Sequence, residues 1–320
     1  MGGSTEMKLV SYEINHTIRT GVLSADEKWI YPTEAAGVLN EDMTGLIRRM
    51  DEKLFAALQE LTLKKPAQIS ETVRPESGDP DSVLTDGPVP LDTASLLAPI
   101  PFPEQDVICL GINYMAHAVE SARYKKEAFG GERPYAIYFS KRVNKATAPY
   151  GDIPAHTDLV DSLDYESELA VIIGKDAYQV SEEEVKDYVF GYTVLNDVSA
   201  RNVQTQHKQW YFGKSLDGFT PFGPCILTAD SVPYPPVLKI QSYVNGELRQ
   251  NSTTDLLIFD IDHVVSELSQ GMTLRAGTII AMGTPAGVGM GFTPPQFLKP
   301  GDVVECRIEA IGSIINKIVE

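Results

Sequence analysis

Short hydrophobic runs that alternate with polar residues recur along this chain. Alternation with a period of two residues is typical of β-strands that bury one face. Before residue 103, the pattern predicts strands over residues 8–14, 17–23 and 28–31. Beyond residue 103 it predicts eight more, over residues 106–110, 136–140, 165–174, 188–195, 223–227, 238–245, 278–282 and 303–310.

Helical patterns are fewer and less regular than the strand patterns. Residues 44–63 predict one amphipathic helix, with a set of apolar side chains on one side: Leu46, Ile47, Met50, Leu54, Leu58 and Leu61. Shorter helices are predicted over residues 114–123, 181–186, 199–207 and 261–274. Helices this few do not alternate with strands as βαβ units do, so the sequence predicts an α+β, strand-rich fold.

Two proline-containing segments divide the chain. Residues 64–95 are polar and rich in Pro, Gly and Asp, which predicts loops, and the alternating prolines of residues 97–103 predict an extended connector. We therefore predict a small N-terminal α+β domain and linker over residues 1–103, followed by a larger domain over residues 104–320. The charged, glycine-containing residues 124–134 form either a mobile lid or an ordinary surface loop.

Composition excludes several classes of partner. The 320 residues carry a formal net charge of −17, whereas nucleic-acid-binding proteins usually carry a positive field. No apolar run approaches the roughly 20 residues of a membrane span, and the N-terminus resembles neither a signal nor a transit peptide. The three cysteines, Cys109, Cys225 and Cys306, each lie in an apolar run. They are interpreted as reduced core thiols of a cytoplasmic protein.

Three carboxylates lie at the ends of predicted strands. Glu166 and Glu168 alternate at the start of the strand over residues 165–174, and Asp197 follows the strand over residues 188–195. Like charges beside a buried strand repel each other, and a divalent cation would remove that cost. Oxygen ligands without Cys or His suit Mg²⁺, Mn²⁺ or Ca²⁺ rather than zinc. The alternatives are a solvated strand end for the two glutamates and a helix cap for Asp197.

A histidine and a glutamate share one face of the helix predicted after the first central strand. His117 and Glu120 are three residues apart, so they can form a pair in which the carboxylate orients the imidazole as a general base. An ordinary surface pair is the alternative. Asn113, just before them, is predicted to cap the helix.

Further polar residues lie near apolar or glycine-rich stretches. Arg201 and Gln204 can share a helix face, where they could hold an anionic substrate or orient the carboxylates, and a plain surface role is the alternative. Lys214 lies in a predicted loop and could stabilise an oxyanion, although a surface lysine is the alternative. Thr284 lies in a glycine-rich stretch that lacks the Lys-Ser/Thr of a nucleotide loop. Its hydroxyl could bind a carboxylate, and a glycine-rich turn without a ligand is the alternative.

Taken together, these stretches resemble the fumarylacetoacetate hydrolase family in order and spacing, over about residues 104–320. The resemblance is carried by six motifs: Gly111-Ile112-Asn113-Tyr114 with His117 and Glu120, Glu166-Ser167-Glu168, Asn196-Asp197-Val198-Ser199-Ala200-Arg201, Gly213-Lys214-Ser215, Asn245-Gly246-Glu247 and Gly283-Thr284-Pro285. Asn202 stands where many relatives have an acidic residue and Gly218 where many have threonine. The chain looks most like members with an extra N-terminal domain that act on oxaloacetate or acylpyruvates.

The resemblance implies a mixed β-sandwich roll, a homodimer and a small 2-oxo acid as substrate. It implies Mg²⁺ or Mn²⁺ at Glu166, Glu168 and Asp197, a position that Ca²⁺ could take in a crystal. It also implies catalytic roles for His117, Glu120 and Lys214, and substrate binding by Arg201, Gln204 and Thr284.

The activity expected from this resemblance is divalent-metal-dependent cleavage of a short 2-oxo acid. Hydrolysis of an acylpyruvate-type C–C bond and decarboxylation of oxaloacetate would both pass through a metal-stabilised enolate. The alternatives are a tautomerase or isomerase of 2-oxo or 2-hydroxydienoate acids, and a non-catalytic metal-binding scaffold.

Overall fold

The computed structural model describes residues 6–39, 41–64, 87–126, 131 and 134–320. Its strands are β1 (Lys8–Ile14), β2 (Thr17–Leu23), β3 (Trp29–Pro32), β4 (Val89–Pro90), β5 (Ser95–Leu97), β6 (Val107–Gly111), β7 (Ile137–Lys141), β8 (Ile153–Pro154), β9 (Leu163–Asp164), β10 (Ser167–Ile173), β11 (Val189–Asn196), β12 (Ser199–Ala200), β13 (Phe222–Thr228), β14 (Lys239–Val244), β15 (Glu247–Thr253), β16 (Ile279–Ala281), β17 (Val303–Ile308) and β18 (Gly312–Val319). Its α-helices are α1 (Met43–Arg49), α2 (Glu52–Leu63), α3 (Met115–Lys125), α4 (Arg201–Gln206), α5 (Tyr211–Lys214) and α6 (Ile261–Ser269).

Most of the described strands belong to two mixed sheets. The larger has 11 strands in the order β4-β3-β2-β1-β13-β11-β10-β16-β6-β7, and β5 also pairs with β1. The smaller has five strands in the order β15-β14-β17-β18-β8, and β12 and β9 form a separate two-stranded ribbon. Within these sheets, β16–β6 and β18–β8 are parallel pairs and the other pairs are antiparallel. The predicted strand-rich α+β fold is confirmed.

Strand β10 lies in the interior of the larger sheet, and all seven of its residues are buried. Its alternating side chains enter two cores. Val171 packs with residues of the smaller sheet such as Val304, whereas Ile172 packs with residues of α1 and α2 such as Leu46 and Leu58. Burial on both faces explains why this strand reads as a continuous apolar run rather than an alternating one.

The N-terminal strands extend the larger sheet. Strand β1 pairs with β13 in antiparallel register, with Lys8 opposite Leu227 and Leu9 opposite Ile226. The division of the chain at residue 103 remains a prediction. Of the predicted loops over residues 64–95, residues 65–86 lie outside the described part, and the rest includes the short strands β4 and β5. Most of the predicted lid over residues 124–134 also lies outside it.

The single helix predicted over residues 44–63 is wrong, because the chain forms two helices there. Helix α1 ends before Met50, which has an extended conformation (φ −64°, ψ 109°). The Asp51 carboxylate then accepts a hydrogen bond from the Leu54 backbone N–H and caps α2. The extended backbone at Met50 ends α1, and the Asp51 cap begins α2 inside the same amphipathic pattern.

Asn113 does not cap helix α3, contrary to the prediction; Tyr114 occupies that position without a side-chain cap. The Asn113 amide instead donates to the backbone oxygens of Phe259 and Met282, at 2.9 and 2.8 Å. Its Oδ1 accepts from the Phe259 N–H at 2.8 Å. This buried side chain therefore joins three distant segments beside the end of β16.

Other differences are at element ends. The predicted helix over residues 199–207 begins only at Arg201, since Ser199 and Ala200 pair with β9. Strands β15 and β18 were not predicted; β15 follows the turn at Asn245 and Gly246, where both residues have positive φ. No helix in the described ranges is both long and apolar enough to cross a membrane.

We expect Asn113→Ala to lower the free energy of unfolding by about 2–4 kcal/mol, because buried backbone groups of Phe259 and Met282 lose their partners. Urea denaturation followed by circular dichroism measures this change. The exposed Asn144→Ala is the control and should shift the same free energy by less than about 0.5 kcal/mol. Equal effects of both substitutions would contradict the structural role of Asn113.

Candidate metal centre and active site

The three candidate carboxylates meet where β10 begins and β11 ends. Antiparallel pairing places Ser167 opposite Asn196, and the Asp197 N–H donates to the Glu166 backbone oxygen at 2.9 Å. One carboxylate oxygen from each of Glu166, Glu168 and Asp197 lies within 4.8 Å of the others. The hairpin register, not sequence proximity, therefore assembles the cluster.

Lys214 lies inside this cluster and is buried, although a surface position was the alternative for it. Its ammonium donates to Glu166 Oε2 at 2.8 Å and to Asp197 Oδ2 at 2.6 Å. Lys214 ends the short helix α5 rather than lying in a loop. The preceding Gly213 allows α5 to pack on α4, since a Cβ there would come within 2.5 Å of the Gln204 backbone nitrogen.

Two charged residues of this cluster were not predicted as site residues from the sequence. Lys141 ends β7, is fully buried, and contacts Asp197 Oδ1 as well as the backbone oxygen of Val198 at 3.1 Å. Asp164 is fully buried and contacts Arg201 Nε at 2.9 Å. A lysine or aspartate at a strand end is typical of a protein surface, so neither residue carried a signal by itself.

Arg201 connects the carboxylates rather than lying on the surface. Its Nη1 pairs with Glu166 Oε1 at 2.6 Å and donates to Gln204 Oε1 at 3.1 Å. Its Nη2 is buried and has no hydrogen-bond partner in the described residues. Of the two roles predicted from the sequence, the orientation of a carboxylate is the one visible here, and substrate binding by Arg201 and Gln204 remains a prediction.

The charges of the cluster act on its two glutamates in opposite directions. Burial raises the pKa of Glu166, but Lys214 and Arg201 outweigh it and hold that pKa below its usual range. Burial, together with the charges of Asp197 and Glu166, raises the pKa of Glu168 well above its usual range. Asp197 and Glu166 also raise the pKa of Lys214 despite its burial.

The surroundings of Glu168 test whether this cluster fits a divalent cation. Its carboxylate is buried and accepts the Gly283 N–H at 2.9 Å, yet it has no ion-pair partner in the described part of the chain. A buried carboxylate without a cation is costly. The all-oxygen donor set suits Mg²⁺ or Mn²⁺, so the residues present fit a divalent ion.

His117 and Glu120 form the predicted pair on one face of α3. His117 is buried, and its Nδ1 lies 3.1 Å from Glu120 Oε2. Glu120 Oε1 also accepts the Gly287 N–H at 3.1 Å, and a Cβ on Gly291 would come within 1.7 Å of that oxygen. The glycine-rich stretch therefore packs directly on Glu120. This packing holds the Glu120 carboxylate against Nδ1 of His117.

Thr284 lies within the same stretch but already has two protein partners. Its hydroxyl donates to the Ser167 backbone oxygen at 2.9 Å and accepts from Gln250 Nε2 at 2.7 Å. Gln250 also accepts from the Ser167 N–H at 3.0 Å. Thr284 therefore ties the glycine-rich stretch to β10, and its predicted contact with substrate is untested.

A narrow cavity opens onto these groups. Its polar lining combines candidate ligands and candidate catalytic residues: His117, Glu166, Glu168, Arg201, Gln204, Lys214 and Thr284. Trp210 forms part of its apolar wall and packs on Gly111, where a Cβ would come within 2.1 Å of the indole ring. Seven of the nine predicted site residues thus line one cavity. The other two contact lining residues, Glu120 through His117 and Asp197 through Lys214.

Comparisons with known proteins give matches over most of this chain. The family model "Fumarylacetoacetate (FAA) hydrolase C-terminal" matches residues 106–319. Oxaloacetate tautomerase YisK of Bacillus subtilis (strain 168) is 46% identical over 229 residues, which cover 71% of this chain and 74% of that protein.

Two solved structures resemble almost the whole chain. Fumarylacetoacetate hydrolase from psychrophilic Exiguobacterium antarcticum is 36% identical, with a TM-score of 0.76 and coverage of 98% of this chain and 99% of that one. Maleylpyruvate hydrolase from Sphingobium sp. SYK-6, solved with manganese (II) ion and pyruvate, is 29% identical, with a TM-score of 0.71 and the same coverage.

Glu168→Gln is expected to weaken Mn²⁺ binding by at least about 100-fold. Loss of a group that only hydrogen-bonds a metal ligand already lowers metal affinity by about 10–100-fold, and Glu168 is assigned as a ligand itself. Isothermal titration of the metal-free protein measures the affinity. Glu183→Gln, an exposed substitution of the same kind, should leave it unchanged. Equal affinities for all three proteins would show that Glu168 is not a ligand.

Metal affinity should also rise with pH. The raised pKa of Glu168 favours the protonated form of its carboxyl in the metal-free protein, and a proton held there must leave before a cation binds. Mn²⁺ titrations between about pH 6 and pH 8 should show tighter binding at the higher pH, and proton release on binding. Affinity that is flat or falls over that range would contradict this assignment.

Proposed function

This chain belongs to the fumarylacetoacetate hydrolase family, and from that membership we propose that it is a divalent-metal-dependent enzyme that acts on a short 2-oxo acid. The observation that carries the proposal is the buried cluster of Glu166, Glu168 and Asp197, with Lys214 against it and the His117–Glu120 pair on the same cavity. Buried titratable groups of opposite charge that converge on one cavity are typical of active sites.

Glu166, Glu168 and Asp197 would hold Mg²⁺ or Mn²⁺. When bound, such an ion supplies Lewis-acid polarisation of the oxygens of a 2-oxo acid. Support comes from the carboxylate donor set and from the maleylpyruvate hydrolase relative, whose structure contains manganese (II) and pyruvate.

His117 would move the proton in this reaction. Its Nδ1 faces Glu120, so Nε2 is the ring nitrogen left for proton transfer to and from a substrate. The Lys214 ammonium would stabilise negative charge that develops on the substrate oxygen nearest to Glu166 and Asp197. Its raised pKa keeps it charged for this task.

Keto–enol tautomerisation of oxaloacetate is the reaction that the relatives favour first. The oxaloacetate tautomerase of Bacillus subtilis is 46% identical over 71% of this chain. The two hydrolases are 36% and 29% identical over 98% of it. In tautomerisation, His117 would remove a proton from carbon 3, and a proton would be returned to the 2-oxygen without breaking a C–C bond. This order differs from the expectation drawn from the sequence, which placed cleavage first.

Cleavage of a 2-oxo acid is the second candidate reaction. The named hydrolase relatives support it, and the same groups would serve it: His117, oriented by Glu120, would take a proton from the water that attacks the distal carbonyl of an acylpyruvate. Decarboxylation of oxaloacetate would need no water, only stabilisation of the charge that remains after CO₂ departs.

The substrate-binding groups would lie beside the candidate ligands. Arg201 Nη2 lacks a hydrogen-bond partner among the described residues and would pair with a substrate carboxylate. Gln204 accepts a hydrogen bond from Nη1 of the same guanidinium. The Thr284 hydroxyl already donates its hydrogen to Ser167, so its remaining lone pair would accept a hydrogen bond from a substrate hydroxyl, such as an enol O–H. We further propose that the protein is a homodimer and acts in the cytoplasm. Its binding partner would be this small-molecule substrate and not a nucleic acid or a membrane.

Product analysis separates the reactions. Metal-loaded protein is given oxaloacetate or acetylpyruvate, with a chelated sample as control. Faster keto–enol exchange of oxaloacetate, followed by ultraviolet absorbance, indicates a tautomerase; CO₂ above the rate of free metal indicates a decarboxylase. Acetate plus pyruvate from acetylpyruvate indicates a hydrolase. No chelator-sensitive change with either compound would contradict the proposal and favour a non-catalytic scaffold.

His117→Ala is expected to lower kcat by about 10²–10⁴-fold while Mn²⁺ affinity changes by less than about twofold, because His117 is assigned to proton transfer and not to the metal. Steady-state kinetics and metal titration measure the two quantities. His16→Ala, a fully exposed histidine, is the control. Retention of wild-type kcat by the His117 variant would remove it from the mechanism.

A further inference from the structure

We infer that Asp164 is a positioning residue that aims Arg201 at the substrate carboxylate. The inference rests on the proposed function, since it concerns how the same cavity would bind a 2-oxo acid. Asp164 was not predicted as a site residue from the sequence. It lies two residues before the first candidate ligand, Glu166.

Asp164 is fully buried, and both of its oxygens are fully used within the protein. Oδ1 accepts the backbone N–H groups of Tyr165 at 2.9 Å and Gly289 at 2.6 Å. Oδ2 accepts the Met290 N–H at 3.0 Å and Arg201 Nε at 2.9 Å. A carboxylate with four donors has no oxygen left for a metal ion, which separates Asp164 from the three candidate ligands.

Three side chains contact the Arg201 guanidinium at Nε and Nη1, and its Nη2 has no hydrogen-bond partner in the described residues. Asp164 contacts Nε, and Glu166 and Gln204 contact Nη1. The remaining Nη2 is buried without a partner in the described residues, and Arg201 lines the cavity. A guanidinium is planar, so fixing Nε and Nη1 also fixes the direction of Nη2. Asp164 thereby determines where the unpartnered N–H groups lie.

The same carboxylate joins Arg201 to the glycine-rich stretch. A Cβ on Gly289 would lie 2.7 Å from Asp164 Oδ1 and 2.4 Å from the Gln296 backbone oxygen, so the approach of the backbone requires glycine. The neighbouring Gly287 N–H is held by Glu120, the partner of His117. One turn of backbone, residues 287–291, is therefore fixed by both the carboxylate that aims Arg201 and the carboxylate that orients His117.

The test is Asp164→Asn. The asparagine Oδ1 can still accept from Tyr165 and Gly289, but its Nδ2 would face the N–H groups of Arg201 and Met290, so Arg201 loses its anchor. The probe is oxalate, a planar anion that resembles a 2-oxo acid, titrated calorimetrically into Mg²⁺-loaded protein. We expect oxalate affinity to fall about tenfold or more, the loss typical of one charge-assisted hydrogen bond, with Mn²⁺ affinity unchanged.

Two further variants make the test specific. Asp161→Asn is the same chemical change at an exposed position in the same segment, where the carboxylate accepts a hydrogen bond from the Ser162 hydroxyl. This variant should bind oxalate as the wild type does. In an Arg201→Lys background, Asp164→Asn should cause little further loss, because Asp164 acts through the guanidinium. Should the asparagine variant not fold, Asp164→Glu, which keeps the charge but displaces it, should weaken oxalate binding without weakening Mn²⁺ binding.

The outcomes distinguish two failures. Wild-type protein that does not bind oxalate would overturn the proposed function and this inference with it. Wild-type binding that Asp164→Asn leaves unchanged would overturn only the inference. A loss of equal size in the wild-type and Arg201→Lys backgrounds would show that Asp164 acts independently of Arg201, which also contradicts it.

Discussion

The contact of Lys214 with both Glu166 and Asp197 is the interaction on which the rest of the site depends. Four buried carboxylates, Asp164, Glu166, Glu168 and Asp197, meet three buried cations, Lys141, Arg201 and Lys214. Breaking a buried ion pair by removing one partner costs several kcal/mol, because the other charge is left without compensation. The cluster therefore constrains the ends of β7, β10, β11, α4 and α5 together. With all four carboxylates ionised, it carries one negative charge more than its three cations neutralise.

That excess of negative charge connects the fold to the proposed chemistry. The two glutamates are close in sequence but differ in their partners: Glu166 has two cations, whereas Glu168 has a backbone N–H. The cations leave the Glu168 side of the cluster uncompensated, where a divalent ion would be stabilised by carboxylates that the fold has already desolvated. The ordered site is therefore prepared before the ion binds, as expected of a preorganised active site.

Much of this could be predicted from the sequence, and the exceptions have physical causes. The period-two runs predicted most central strands, because burial of alternate residues leaves a local pattern. The break between α1 and α2 could not be predicted, because Met50 and Leu54 continue the apolar stripe across it. Lys141 and Asp164 were missed for a different reason: their partners are 56 and 37 residues away in the chain. Lys141 joins the cluster through the position of β7 in the larger sheet, and Asp164 through the pairing of β9 with β12, so these pairings turn ordinary surface residue types into members of a buried cluster.

Anomalous X-ray diffraction from crystals soaked in Mn²⁺ would test the central claim most directly. A manganese peak within coordination distance of Glu166, Glu168 and Asp197, about 2.0–2.3 Å, with Lys214 still beside Glu166, is the result predicted here. No peak at this cluster in crystals that hold manganese elsewhere would contradict the account, since the carboxylates would then be a structural ion-pair network rather than a metal centre.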